Sequence, residues 1–192
     1  MVNKSNILMT LGASSHSIEE REKHDYYATE PYAVELLLKE ESFSNCIWEC
    51  ASGEGHMNEV LTRYGYTVFS SDIVDRGHQD EIIDFLNYDG QWEGDIITNP
   101  PYKYGQQFVE KALSVVEDGA KVAMFTKLLF LESKSRKQMF QDNPPKVIYV
   151  SSSRLNCAKN GEFEKYPSSA VAYTWIVWEK GFDGDTVVKW IN

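Results

Sequence analysis

Apolar residues fall along the chain in short blocks, some with helical spacing and some nearly continuous. Tyr32-Ala33-Val34-Glu35-Leu36-Leu37-Leu38 predicts an amphipathic helix, with Thr29 as its N-cap and Pro31 in its first turn. Cys46-Ile47-Trp48-Glu49 predicts a short strand, and the small residues after it turn the chain into a helix from about His56 to Tyr64. Tyr66 to Asp72 reads as a second strand, and Asp95-Ile96-Ile97-Thr98 as a buried strand stopped by Pro100 and Pro101, which cannot donate to a ladder. Gly105 to Val116 has helical spacing at Phe108, Ala112 and Val115, and Glu117-Asp118-Gly119 ends it. Lys121 to Phe125 and Val147 to Val150 are near-continuous apolar strands, and Ala170 to Trp178 suits a last core strand. This alternation predicts an α/β fold, a doubly wound and mostly parallel sheet with helices on both faces. The division expected is a flexible arm over residues 1–24 and a single domain over 25–192.

In such a sheet ligands bind at the C-terminal strand ends. There, after Thr98, the chain places Asn99-Pro100-Pro101-Tyr102. A bland account is a Pro-Pro turn beside a partly buried tyrosine. The four residues, however, resemble the catalytic motif of S-adenosylmethionine-dependent amino-methyltransferases, best known from N6-adenine DNA methyltransferases. The resemblance implies two acceptors, the Asn99 side-chain oxygen and the Pro100 carbonyl, aimed at the hydrogens of a planar amine. Such fixed dipoles favour a localised lone pair on nitrogen. Pro101 would fix the loop, and Tyr102 would offer a face for stacking.

Glu49-Cys50-Ala51-Ser52-Gly53-Glu54-Gly55 resembles the first motif of class I methyltransferases, with Ala51 where many members have glycine. A dinucleotide fingerprint would need a third glycine where Asn58 stands, which argues against a nicotinamide enzyme. By this resemblance Glu49 meets the cofactor ammonium, and Ala51, Gly53 and Gly55 pass under its methionine part. Asp72 ends the second strand about 20 residues after Gly53, where doubly wound nucleotide sites place an acid on ribose hydroxyls. Ile73 would wall the adenine pocket. Asp84-Phe85 looks like the family's Asp-Phe pair, and Tyr27 to Pro31 like its cofactor segment, with Thr29 on the methionine carboxylate and Tyr27 packed on the cofactor. The expected fold then becomes a seven-stranded, Rossmann-like class I methyltransferase sheet with S-adenosylmethionine as cofactor.

Charge complicates the acceptor. Among 192 residues the formal net charge is −10, which opposes nucleic-acid binding through bulk electrostatics. Basic residues do cluster locally in Lys134-Ser135-Arg136-Lys137. They also occur in the long connection from Arg154, where Arg154, Lys159, Phe163 and Tyr166 mix cations and rings as a strand-tracking surface does. The expected acceptor is N6 of adenine in DNA. Amino groups of RNA bases, glutamine side chains of a protein, and a non-catalytic cofactor-binding subunit remain open. Larger relatives carry a separate recognition domain, so a protein partner supplying specificity is a further expectation. Three cysteines without metal spacing suit a reducing compartment, no metal is expected, and no apolar run approaches a membrane span, so a cytoplasmic protein is expected.

Overall fold

The computed structural model describes residues 27–158, 163 and 171–192. The expected arm over 1–24, Lys159 and Tyr166 lie outside the described residues. In chain order the strands are β1 Ala28–Thr29, β2 Cys46–Glu49, β3 Thr67–Asp72, β4 Glu81–Ile82, β5 Asp95–Thr98, β6 Lys121–Lys127, β7 Val147–Ser151, β8 Cys157–Ala158, β9 Tyr173–Glu179 and β10 Val187–Ile191. The helices are α1 Pro31–Glu40, α2 His56–Arg63, α3 Gly105–Val115 and α4 Lys137–Asp142.

Eight strands form one sheet in the order β10-β7-β9-β6-β5-β2-β3-β4, and β1 pairs with β8 in a separate two-stranded sheet. Within the large sheet β9 runs antiparallel to β6 and β7, and the other pairs are parallel. The doubly wound, mostly parallel sheet expected from the sequence is present, with one strand more than seven. The addition is β10, which lies parallel along β7 at the edge. Its Val187, Val188 and Trp190 are exposed, so its apolar letters do not report a buried strand.

Alternation along the strands divides the core. Ile47, Ile97, Ala123, Phe125, Tyr149 and Trp175 pack with Ala33, Val34, Leu36 and Leu37 of α1 and with α2. Trp48, Ile96, Val122, Met124, Ile148 and Ile176 face the other way, toward Phe108, Val109 and Ala112 of α3. Each fully buried side chain of this size contributes roughly 1.5–3 kcal/mol. Trp48, fully buried, anchors the second face: Phe69, Phe85, Tyr88 and Trp92 surround it with ring centres 4.8–5.7 Å away.

Two local details set the strand ends. The N-cap of α1 is Glu30, without a side-chain cap bond, rather than Thr29. Pro31 at the first helical position keeps Glu30 extended (ψ 140°) and draws Thr29 back into β1. Ahead of β5, Gly94 has φ +152°, and a Cβ there would sit 2.5 Å from the Cys46 carbonyl oxygen. That close approach seats the start of β5 against β2. Asp95 then fastens it, accepting from the backbone N–H groups of Ser44 (2.6 Å) and Lys121 (2.7 Å). Among the described residues no helix is long and apolar enough to cross a membrane.

Candidate functional site

The C-terminal ends of β2, β3 and β5, with β1 above them, enclose a cavity of ≈410 Å3. This falls in the ~300–1,000 Å3 range of small-molecule sites. Its wall along β2 is Glu49, Cys50, Ala51 and Ser52. Gly53 and Gly55 shape the turn behind that wall instead of lining it. Gly55 holds φ +79° as the N-cap of α2, a left-handed conformation that glycine adopts without strain.

Glu49 is 1% exposed, and its Oε1 accepts from the Ala51 N–H (3.0 Å) and the Thr98 hydroxyl. Burial pushes its carboxyl up to about 8, the two hydrogen bonds pulling it back and nearby Asp72 adding to the rise. A buried acid in this state gains its charge when a cation is placed beside it. Asp72 is buried and also borders the cavity; its oxygens accept from the N–H groups of Gly53 (2.8 Å) and Val74 (2.9 Å). A carboxylate has about four acceptor positions, so two remain for ligand hydroxyls.

Ile73 and Phe85 both line the cavity, Ile73 half exposed at 52% and Phe85 edge-on to Trp48 at 5.1 Å. Asp84 caps the single turn that carries Phe85, accepting from Leu86 N–H (3.1 Å) and the Asn87 amide (2.7 Å). Tyr27 and Thr29 reach the cavity from β1 and its approach, but their polar atoms meet Asn99.

Asn99 follows the end of β5. Its Nδ2 donates to the Tyr27 carbonyl (2.9 Å), the Thr29 hydroxyl (3.0 Å) and the Cys157 sulfur (3.7 Å). Its Oδ1 is buried and has no partner among the described residues. Orphaned buried acceptors are rare and ask for an explanation. The next turn of chain uses the Pro101 carbonyl, which accepts from Tyr104 N–H (2.8 Å), and Pro100 and Pro101 both border the cavity. The face expected to be bare on Tyr102 is covered. Tyr27 stacks on its ring at 5.7 Å and 25°, and the Lys127 ammonium stands 4.2 Å from the ring centre.

Three side chains absent from the sequence-based site join it. Ser52, buried, and His56 line the cavity, Ser52 Oγ and His56 Nδ1 having no partner among the described residues, and Cys157 touches Asn99. The first two sit in and just after the glycine turn, a positional signal that was available. Nothing in the local sequence marks Cys157. The basic candidates lie elsewhere. Arg136 donates to the carbonyls of Phe130 (2.7 Å), Leu129 and Glu132 (both 3.3 Å), which pins its own loop. Lys134 is exposed beside a separate shallow depression and Arg154 is exposed, neither of them lining the cavity. Phe163 packs edge-on against His56 at 5.6 Å. Among the described residues no three His, Cys, Asp or Glu side chains group as a metal centre needs.

No protein-family profile matches the chain, and no curated protein matches it in sequence. Similarity emerges in three dimensions. A candidate class I S-adenosylmethionine-dependent methyltransferase of Listeria monocytogenes superposes at TM-score 0.56 and 13% identity, over 96% of this chain and 71% of that one. A protein of Agrobacterium tumefaciens predicted to be an O-methyltransferase gives 0.57 at 9% identity, over 85% and 86%. The M protein of the type I restriction enzyme EcoKI gives 0.58 at 14% identity, over 92% of this chain and 47% of that one. At such identities the likeness is one of architecture: the chain has the Rossmann-like fold of the class I methyltransferases.

Proposed function

We propose that the protein is an S-adenosylmethionine-dependent N-methyltransferase acting on a planar exocyclic amine, with N6 of adenine in DNA as the acceptor that fits best. Residues 25–192 are its catalytic domain. The observation that carries the proposal is the buried Asn99 Oδ1, turned from its own hydrogen-bond partners and unmatched, on a residue that borders a cavity walled by a buried acid.

The cavity fits the cofactor on chemical grounds, since a buried carboxylate pushed up to about 8 asks for a cation and the Ser52 and His56 side chains present unpartnered polar atoms. S-adenosylmethionine, when bound, supplies an electrophilic methyl group. Glu49 would hold an ammonium, and the remaining lone pairs of Asp72 would take ribose hydroxyls. Ile73 and Phe85 would bracket an adenine. Asn99 Oδ1 and the Pro100 carbonyl would each accept one N–H of the acceptor amine, which localises the nitrogen lone pair and fixes its direction. Asn99 is no base, so the proton released after transfer goes to water. Tyr27 must slide along Tyr102 for an acceptor ring to stack there.

The net charge of −10 supports a second acceptor, a glutamine side chain of a protein, whose amide presents the same two hydrogens. RNA bases are a third. A protein partner supplying specificity and a reducing, cytoplasmic setting, in keeping with three unpaired cysteines, complete the proposal. The test is transfer of labelled methyl to methylation-free DNA, duplex and denatured, with nucleoside mass spectrometry. N6-methyladenine that vanishes in Asn99→Ala supports the proposal. No label on either DNA, with cofactor binding verified, removes DNA and moves the test to RNA and glutamine acceptors. No transfer to any of them leaves a non-catalytic binding subunit.

A further inference from the structure

A primary amide is nearly symmetric in shape, so an asparagine that must present oxygen to a ligand needs something to stop it presenting nitrogen. At Asn99 that something is visible. The Tyr27 carbonyl can only accept, so the amide edge facing it must be Nδ2. The Thr29 hydroxyl, on a β-branched side chain only 4% exposed, takes a second contact from the same nitrogen. Thr29 and Cys157 are direct partners in the antiparallel β1–β8 pair, where opposed side chains share a face. Both meet Asn99 from that face. The pair is extended by Glu30 N–H to the Asn156 carbonyl (3.2 Å) and by Asn156 N–H to the Glu30 carboxylate (2.5 Å).

We propose that Thr29 and Cys157 are positioning residues for Asn99, and that the β1–β8 clip exists to turn its Oδ1 toward the acceptor amine. Thr29 then serves the amide and not the cofactor carboxylate. The inference rests on the N-methyl transfer proposed above, and it deepens that proposal by naming what orients the amide. Cys157 is suited to the position because burial holds its thiol at about 12, keeping S–H intact beside Asn99 and the hydroxyls of Tyr102 and Tyr173.

Thr29→Val removes the hydroxyl at nearly constant shape, and Thr29→Ser keeps it. With methylation-free DNA as acceptor, Thr29→Val is expected to lower kcat on the order of 10-fold or more, as loss of one oriented catalytic contact does. Its Kd for S-adenosylmethionine stays within about twofold, and Thr29→Ser recovers most of kcat. A Kd raised about 10-fold with kcat intact would make Thr29 a cofactor ligand and overturn the inference. A second readout needs no turnover. The Asn99 side-chain amide protons, assigned in 15N–1H spectra against Asn99→Ala, are expected to shift and exchange faster in Thr29→Val and Cys157→Ala. In Thr29→Ser they stay in place. Unchanged resonances in both overturn the clip even if no acceptor is ever methylated. Shifted resonances in a protein inactive on DNA uphold the clip and fail the acceptor instead.

Discussion

The two rims of the cavity treat their polar atoms in opposite ways. On the rim built by β2, β3 and the turn after β4, the carboxylates of Glu49, Asp72 and Asp84 each already accept from backbone N–H groups. On the rim built by β5, the two hydrogens of Asn99 Nδ2 are shared among three acceptors, while its oxygen has no partner among the described residues. The first rim is a seat whose acids are held in place by its own backbone. The second leaves one acceptor unused, the one the proposed acceptor amine would meet. Charge is also uneven along the sequence: residues 1–98 carry 19 acids against 6 bases, and residues 99–165 carry 11 bases against 7 acids.

The sharpest break of this contrast is Asn99→Ala. Turnover is expected to fall about 10²–10³-fold, while Kd for S-adenosylmethionine changes less than about twofold. A comparable loss of cofactor binding would show that the rims are one site. Next comes Cys157, whose thiol at about 12 is mostly unionised at pH 8. Its alkylation is expected to run at least ~100-fold slower than that of exposed Cys46, read by mass-spectrometric peptide mapping. Equal rates would mean the clip stands open.

On the seat, Glu49→Gln is expected to weaken S-adenosylmethionine binding roughly 30-fold, about 2 kcal/mol, by removing one partner of a buried charge pair. The sign of its pH dependence follows from a carboxyl raised from 4.5 to about 8. The fold binds this proton more tightly than the unfolded chain, so Glu49 makes the unliganded protein less stable as pH rises from about 4.5 to 8. Thermal melts across that window should lose less in Glu49→Gln than in the wild type. Binding at pH 7 should also release a proton, seen by calorimetry in two buffers and absent in Glu49→Gln. The smallest effect belongs to the outer surface of the basic segment. Lys111, Lys121 and Lys146 are held by Tyr88 O, Glu41 and Glu179, but Lys134 and Lys137 are exposed. If DNA is the acceptor, Lys134→Ala and Lys137→Ala each reduce the salt slope of binding by about one, and an unchanged slope would mean this segment does not meet the acceptor.

Much of the seat was readable from letters alone. Ile47 and Trp48 before a glycine turn, and Ile96 and Ile97 before two prolines, are runs whose ends are chemically enforced. The strands formed where expected, and Glu49, Asp72 and Asn99 came together. What stayed hidden has no period to read. The strands β1 and β8 have two residues each, and nothing in Ala28-Thr29 announces Cys157-Ala158 as its partner. For the same reason Thr29 looked like a helix cap, although its hydroxyl belongs to a contact formed only after the chain has closed. In β10 the difficulty is reversed, since Val188 and Trp190 are apolar and exposed. Arg136 shows that a basic letter near a ligand edge can be spent on carbonyls of its own loop.

The brevity of the clip carries a thermodynamic consequence. A ladder of two residues per strand has few backbone bonds of its own and is held largely by the contacts its buried side chains make, so any loosening of those contacts would open the clip before the eight-stranded sheet. Such an opening would leave the seat intact and the Asn99 amide loose. If the protein transfers methyl groups as proposed, only molecules with the amide held would be competent, and the apparent rate would scale with their fraction. Mild warming or low denaturant would lower turnover before near-ultraviolet circular dichroism reports any loss of fold, leaving a protein that still binds its cofactor and has stopped working.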